Sequence, residues 1–168
     1  MATLFILGGL PGTGKSTIAR ALSERMGATW LRIDTIEQSM VDSGVPRVAI
    51  GERGYVLAYA IAADNLRCGH DVVADSVNPI ALTRQAWRNV ARETTSGMLE
   101  VEIICSDEVE HRRRVCERAC EIPNLRLPSW QEVVDRQYES WREANVRIDT
   151  ADSSVEAAVD AILRQLAI

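Results

Sequence analysis

One segment near the start of the chain, Gly9-Leu10-Pro11-Gly12-Thr13-Gly14-Lys15-Ser16, constrains the fold more than any other. It matches the pattern G-x-x-x-x-G-K-[ST] at every fixed position. The apolar run at residues 3–7 precedes it and a helical pattern follows, so it lies between a predicted strand and a predicted helix. Glycines let such a loop curl until successive main-chain amides point at phosphate oxygens, and the start of the helix adds partial positive charge. The segment therefore predicts a phosphate-binding loop for a nucleoside triphosphate.

Each polar residue of this loop has a predicted role. Lys15 can reach the β- and γ-phosphates as a catalytic cation, and the Ser16 hydroxyl can hold Mg²⁺. The alternative is an ordinary glycine turn between a strand and a helix, and the correct flanks on both sides make this the weaker interpretation. We predict that the nucleotide is bound by Gly9, Pro11, Gly12, Thr13, Gly14, Lys15, Ser16 and Thr17.

Length, composition and charge limit the remaining possibilities. The chain has 168 residues, of which 46% are hydrophobic, and no linker or repeat divides it, so we expect one domain over residues 1–168. The formal net charge of −5 argues against an extended nucleic-acid surface, which needs basic residues. No apolar run approaches membrane-spanning length and no basic leader is present, so a cytoplasmic protein without a membrane partner is expected. The four cysteines are interpreted as reduced. Cys116 and Cys120 share a predicted helix face near His111, and burial as small hydrophobes is favoured there over a metal site, which lacks ligands at a familiar spacing.

Strand-like and helical patterns alternate along the chain, which is typical of parallel βαβ units. The predicted fold is a three-layer α/β domain of the phosphate-loop class, with a five-stranded, mainly parallel sheet flanked by helices. Predicted strands lie at residues 3–8, 29–33, 71–75, 100–105 and 145–148, and the clearest later helices at 52–68, 80–93 and 155–166.

Carboxylates follow two of the predicted strands, at the sheet edge where ligands bind in open parallel sheets. Asp75 ends the apolar run Val72-Val73-Ala74-Asp75 and is predicted to hold Mg²⁺ or its waters. Asp34 follows the second strand and is predicted to accept the proton of an acceptor hydroxyl. Asp34 could instead cap the helix that starts near Thr35, and one residue can serve both roles.

A basic cluster follows the fourth strand. Residues 111–114 read His-Arg-Arg-Arg, and on a helix from Asp107 the side chains of Arg114 and Arg118 would share one face. Arginines on a helical lid, about residues 107–142, could close over a transferring phosphate, whereas the alternative is a solvated surface balanced by glutamates. A second amphipathic helix is predicted after this cluster, with an aromatic stripe that favours core packing over a ligand wall: Trp130, Val134, Tyr138 and Trp141.

Together these motifs resemble the small P-loop kinases, a group that includes polynucleotide 5′-hydroxyl kinases, zeta-toxin-like and antibiotic phosphotransferases, gluconate kinase and adenylylsulfate kinase. The resemblance spans nearly the whole chain and implies transfer of the γ-phosphoryl group of ATP, with Mg²⁺, to a hydroxyl of a small molecule or nucleotide-like acceptor. It implies that Asp34 activates the acceptor, that Arg114 and Arg118 belong to a catalytic lid, and that Asp149 and Thr150 approach the adenine. A regulatory ATPase switch and a nucleoside monophosphate kinase are the alternatives.

A second likeness concerns the acceptor site. The segment Asp75-Ser76-Val77-Asn78-Pro79, with Arg84 further along, resembles a pattern of polynucleotide kinases. By that likeness Asn78 and Arg84 are candidate acceptor-binding residues. Many relatives carry an arginine three residues after the acceptor aspartate, where this chain has Glu37. The resemblance therefore implies the type of reaction and leaves the acceptor open.

Overall fold

The computed structural model describes residues 1–167 and contains one five-stranded sheet. Its strands are β1 (Thr3–Gly8), β2 (Thr29–Arg32), β3 (Val72–Asp75), β4 (Gly97–Ile104) and β5 (Val146–Asp149). They are ordered β2-β3-β1-β4-β5, and every neighbouring pair is parallel. Leu4, Phe5, Ile6 and Leu7 of the central strand are fully buried. A continuous apolar strand of this kind is expected where both faces of a parallel sheet are covered.

Residues 1–167 also form seven helices: α1 (Lys15–Met26), α2 (Ile33–Asp42), α3 (Arg53–Arg67), α4 (Ala81–Glu93), α5 (Glu108–Glu117), α6 (Trp130–Val134) and α7 (Val155–Arg164). Two short 3-10 turns lie at Arg47–Ala49 and Gln165–Ala167. On one face α3 and α4 form a core with the sheet around Trp87, and on the other face α1 and α7 form a second core around Leu22 and Ile162. The predicted three-layer α/β fold is confirmed. None of the helices described in residues 1–167 is both long and apolar enough to cross a bilayer.

The lid region departs most from the prediction. Helix α6 ends at Val134, so Tyr138 and Trp141 lie in irregular chain instead of on one long helical stripe. Contacts with another part of the chain hold this segment instead: the carbonyls of Glu139 and Ser140 accept hydrogen bonds from the buried guanidinium of Arg84, and the Glu139 amide donates to the Pro79 carbonyl. The main-chain groups of this segment are thus satisfied outside a helix.

The cysteines and helix α5 also correct the prediction. Cys68, Cys116 and Cys120 are exposed, so they do not act as buried small hydrophobes. Helix α5 instead buries His111 and Val115, which lie four residues apart on one face. That face of α5 packs on the phosphate-binding loop.

Candidate active site

The loop between β1 and α1 is curled as the motif predicts. Gly12 and Gly14 have φ angles of 86° and 89°, in the left-handed region that favours glycine. A Cβ atom on Gly12 would lie 2.5 Å from a methyl group of Val115, and one on Gly9 would collide with the main-chain carbonyl of Ile103. Gly12 is therefore needed both for its backbone conformation and for space, and Gly9 is needed for space.

A buried carboxylate lies behind the loop. Lys15 Nζ is 2.9 Å from Asp75 Oδ1, and Asp75 is 1% exposed at the end of β3. Burial raises the pKa of Asp75, but the charge and hydrogen bond of Lys15, a hydrogen bond from Ser16 and the charge of Arg32 hold it below its ordinary value. Asp75 is therefore a carboxylate at neutral pH. A hydroxyl and an ionised carboxylate in contact form a donor set that suits Mg²⁺, so the residues present fit this ion.

Two contacts brace the loop from helix α5 and from the end of β5. His111 is 8% exposed, its Nε2 donates to the Pro11 carbonyl at 2.9 Å, and its ring lies edge-on to Trp130. A carbonyl can only accept, so this contact places the ring proton on Nε2. Arg114 Nη1 donates to Thr150 Oγ1 at 2.8 Å, and Thr150 Oγ1 in turn donates to the Thr13 carbonyl at 2.7 Å. Thr150, predicted to approach the adenine, thus also holds the loop in shape.

A cavity of about 760 Å³ opens in front of the loop. Its volume is in the range of small-molecule binding sites. Asp34 faces it from the first turn of α2. Arg32 is the N-terminal flanking residue of this helix, so Asp34 does not have the capping position that was its alternative role. The cavity is lined by two groups of residues: Gly12, Gly14, Lys15, Ser16, Thr17 and Thr150 beside the loop, and Asp34, Glu37, Arg47, Arg118, Arg126 and Arg136 further from it.

The two predicted lid arginines differ in their surroundings. Arg114 is paired with Glu110 at 2.7 Å as well as bound to Thr150. Arg118 follows α5 with extended backbone angles (φ −62°, ψ 138°), so it does not share a helical face with Arg114 as expected. Its Nε atom is buried and meets no hydrogen-bond partner within the described residues. Burial lowers the pKa of Arg118 and the charge of Asp34 raises it, which places a cation and a carboxylate near one another at the cavity.

Asn78 and Arg84 lie in the core and not on the cavity. Asn78 is 0% exposed and its side-chain amide donates to the Leu7 carbonyl at 2.9 Å. Arg84 is 2% exposed, and its guanidinium donates to the carbonyls of Asn78, Glu139 and Ser140 and lies 4.7 Å from the centre of a Trp141 ring. This placement does not bring either residue to the cavity as expected, because Asn78 is fully buried and the guanidinium of Arg84 is committed to main-chain carbonyls.

Asp149 likewise serves the local backbone. Its Oδ1 accepts hydrogen bonds from the main-chain amides of Ser106 and Ala151, each at 3.0 Å. Those contacts hold together the turns that follow β4 and β5. Of the two residues predicted near the adenine, Thr150 lines the cavity and Asp149 shapes the chain beneath it.

Several residues of the cavity and of the loop's support do not follow from the sequence patterns. Glu37 stands out only as a departure from a family pattern, Arg47 and Arg136 carry no signal, and His111, which contacts the loop and does not line the cavity, belongs only to the basic cluster. The spacing of His111 and Arg114 is the one usable signal, since it puts both on one side of a helix. Arg47 begins a short 3-10 turn and Arg136 lies in irregular chain, where periodicity carries no information.

Comparison with known proteins agrees with this architecture. The sequence profile of one family, described as AAA domain (AAA_33), matches residues 4–143. The chain belongs to this family. An uncharacterized protein of Mycobacterium tuberculosis, Rv2004c, is 33% identical over 122 residues, which cover 64% of this chain and 24% of the relative. The chain thus spans about a quarter of the length of the curated relatives it matches.

Solved structures with the same fold include named kinases. The adenylylsulfate (APS) kinase CysC of Mycobacterium tuberculosis, in complex with AMPPNP and APS, superposes with a TM-score of 0.74 at 18% identity, covering 99% of this chain and 98% of that one. A gluconokinase from Sinorhizobium meliloti superposes with a TM-score of 0.67 at 20% identity, covering 98% of this chain and 91% of that one. Kti12 of Chaetomium thermophilum, in complex with ADP-AlF3, superposes with a TM-score of 0.72 at 21% identity, covering 97% of this chain and 96% of that one. The predicted resemblance to small P-loop kinases is confirmed for the fold.

Proposed function

We propose that this protein is a P-loop phosphotransferase that moves the γ-phosphoryl group of ATP to a hydroxyl group of a small molecule or nucleotide-like acceptor. One observation carries the proposal: a curled phosphate loop with Lys15 and Ser16 faces the same cavity as the free carboxylate of Asp34. A carboxylate in the same cavity as the phosphate loop can accept the proton of an acceptor hydroxyl. The fold shared with APS kinase and gluconokinase supports the same reaction class.

Each residue of the proposed site has its own role in the phosphoryl transfer. Main-chain amides of the loop and Lys15 bind the phosphates, and Ser16 with Asp75 would hold Mg²⁺, which offsets phosphate charge when bound. Asp34 accepts a hydrogen bond from the acceptor hydroxyl and takes its proton as the acceptor oxygen bonds to the γ-phosphorus. The bond between the γ-phosphorus and the bridging oxygen breaks, and ADP leaves with that electron pair. Arg118, with an unpartnered buried Nε, and Arg114 stabilise the charge on the transferring group.

The test separates nucleotide binding from transfer. Transfer of radiolabelled γ-phosphate from ATP is measured across a panel of sugars, nucleosides, antibiotics and oligonucleotide 5′ ends. Lys15→Ala is expected to lose Mg-ATP binding, whereas Asp34→Asn keeps ATP affinity and loses transfer by roughly a hundredfold or more, because a positioned general base contributes about that much. Asp64→Asn, on the outer side of α3 and 81% exposed, is the matched control and keeps both.

Acceptor dependence distinguishes the proposal from its alternatives. A phosphotransferase consumes ATP faster when its hydroxyl acceptor is present. A regulatory ATPase responds to a protein partner instead, and a nucleoside monophosphate kinase converts a monophosphate to a diphosphate. Equal loss of ATP binding and transfer in Asp34→Asn would make Asp34 a structural residue and contradict the proposed mechanism.

A further inference from the structure

The cavity contains a second acidic side chain that the proposed transfer does not use. Glu37 lies one turn after Asp34 on α2 and lines the same cavity. It packs tightly against α3, since a Cβ atom on the buried residue Gly54 would lie 2.7 Å from Glu37 Oε1. Burial and the charge of Asp34 raise the pKa of Glu37, while the charges of Arg47 and Arg136 lower it. Glu37 is therefore held in place beside two cations.

The first of these cations is oriented without being neutralised. Arg47 Nη2 donates to Gln38 Oε1 at 2.6 Å, and Gln38 is 1% exposed. The other end of the Gln38 amide donates to Asp42 at 2.8 Å, so the glutamine is fixed at both ends. An amide oxygen carries no net charge, and holding an arginine in this way leaves its positive charge available to a ligand.

The second cation has no acceptor of its own. Arg136 follows α6 and lines the cavity, and within residues 1–167 neither it nor Arg47 has a carboxylate at ion-pair distance. Arg126 lines the same cavity and makes an instructive contrast, because its Nη2 lies 2.9 Å from Glu132 Oε1. Arg126 is thus paired within the chain, as are Arg32, Arg113 and Arg114 of the same cavity wall. Arg47 and Arg136 are exposed and remain available to a ligand.

The charged side chains around Glu37 carry a net positive charge. Arg47, Arg118 and Arg136 line this part of the cavity together with the carboxylates of Asp34 and Glu37, so three cations are balanced by two anions. The whole chain has a formal net charge of −5, so the local sign is opposite to that of the protein. Positive side chains gathered at a cavity concentrate anions from solution.

From this arrangement we infer that Arg47 and Arg136 form an anion subsite for the acceptor, which carries a carboxylate or phosphate group in addition to the hydroxyl that Asp34 activates. The inference rests on the proposed function and narrows its substrate class to hydroxy acids and phosphorylated hydroxyl compounds. Glu37, which lines the same cavity, accepts a hydrogen bond from a further hydroxyl of the same ligand. A neutral sugar or nucleoside leaves both cations unmatched.

The experiment uses simple anions as probes on protein saturated with Mg-AMPPNP, so that the phosphate loop is already filled. Thermal unfolding is followed while inorganic phosphate, or in a second arm acetate, is added at constant ionic strength. Ligands that bind only the folded state raise the midpoint in a saturable way. Arg136→Gln and Arg47→Gln should each raise the half-saturating concentration roughly tenfold, the loss expected for one charged hydrogen-bond donor. Arg126→Gln should match the unmodified protein. The double variant R47Q/R136Q reports the general salting effect of the anions.

The results separate the two claims. A saturable shift that both variants weaken and Arg126→Gln retains supports the subsite, and the stronger of the two probes identifies a phosphate or a carboxylate ligand. Intact Mg-AMPPNP binding without any saturable anion effect overturns the subsite and leaves the proposed function standing. Equal weakening in Arg126→Gln also overturns it, because the paired arginine should not contribute. Absence of Mg-AMPPNP binding overturns the proposed function together with the subsite.

Discussion

Replacing Arg84 by methionine tests whether this residue is structural. Three of its hydrogen bonds, to the carbonyls of Asn78, Ser140 and Glu139, measure 2.9, 3.0 and 2.6 Å. Methionine fills much of the space but leaves those carbonyls without a donor. At about 1 kcal/mol for each lost bond, the free energy of unfolding should fall by about 3 kcal/mol. For a domain of this size that corresponds to a fall in the melting temperature of roughly 6–12 °C.

Chemical denaturation of Arg84→Met measures the change directly, with Arg92→Met as the control. Arg92 lies on the same helix α4, is exposed, and donates only to Asn89, so its replacement should change the unfolding free energy by less than about 0.5 kcal/mol. An unfolding free energy of Arg84→Met within about 0.5 kcal/mol of that of the unmodified protein would refute the structural role, because surface substitutions vary by about this much. Loss of acceptor use at unchanged stability would instead support the acceptor role that the polynucleotide-kinase likeness implies.

Two further predictions concern the loop and its carboxylate. His111→Phe should weaken Mg-ATP binding and lower the unfolding free energy by about 1–3 kcal/mol, because the Pro11 carbonyl loses its donor. His111→Gln retains an N–H group and should lower both the affinity and the unfolding free energy by less. Equal effects of the two variants in calorimetry would contradict the support of the loop by His111. Because its pKa is lowered on folding, Asp75 contributes stability that is present above about pH 4 and lost as the pH falls through the folded pKa. The unfolding free energy of Asp75→Asn should therefore fall less between pH 5 and pH 2 than that of the unmodified protein, and parallel curves would refute the linkage.

Local patterns predicted the part of the molecule that is built from neighbours in sequence. The bounds of β1, the curl of the loop and the presence of a helix after it all follow from glycine placement and periodicity. The meeting of Lys15 with Asp75 followed from a topological rule, since parallel strands bring their carboxyl ends to one edge of the sheet. Asp34 reached the cavity by the same rule.

The parts that sequence reasoning missed depend on partners far along the chain. Arg84 was assigned to an acceptor, but its carbonyl acceptors at Glu139 and Ser140 lie 55 and 56 residues away, in a segment whose helical pattern the structure does not follow. The separation of Arg47 and Arg136 from any carboxylate is likewise a property of the folded arrangement. Periodicity describes which face of an element is apolar, and it says nothing about which charges remain unpaired after packing.

The two braces on the loop also bear on how the protein is made. Pro11 is held by a residue 100 positions later in the chain, and Thr13 by one 137 positions later. A ribosome therefore synthesises the loop at least a hundred residues before either of these supports. A growing chain is expected to gain its full affinity for nucleotide only once Thr150 has emerged from the exit tunnel, long after the loop itself has left the ribosome.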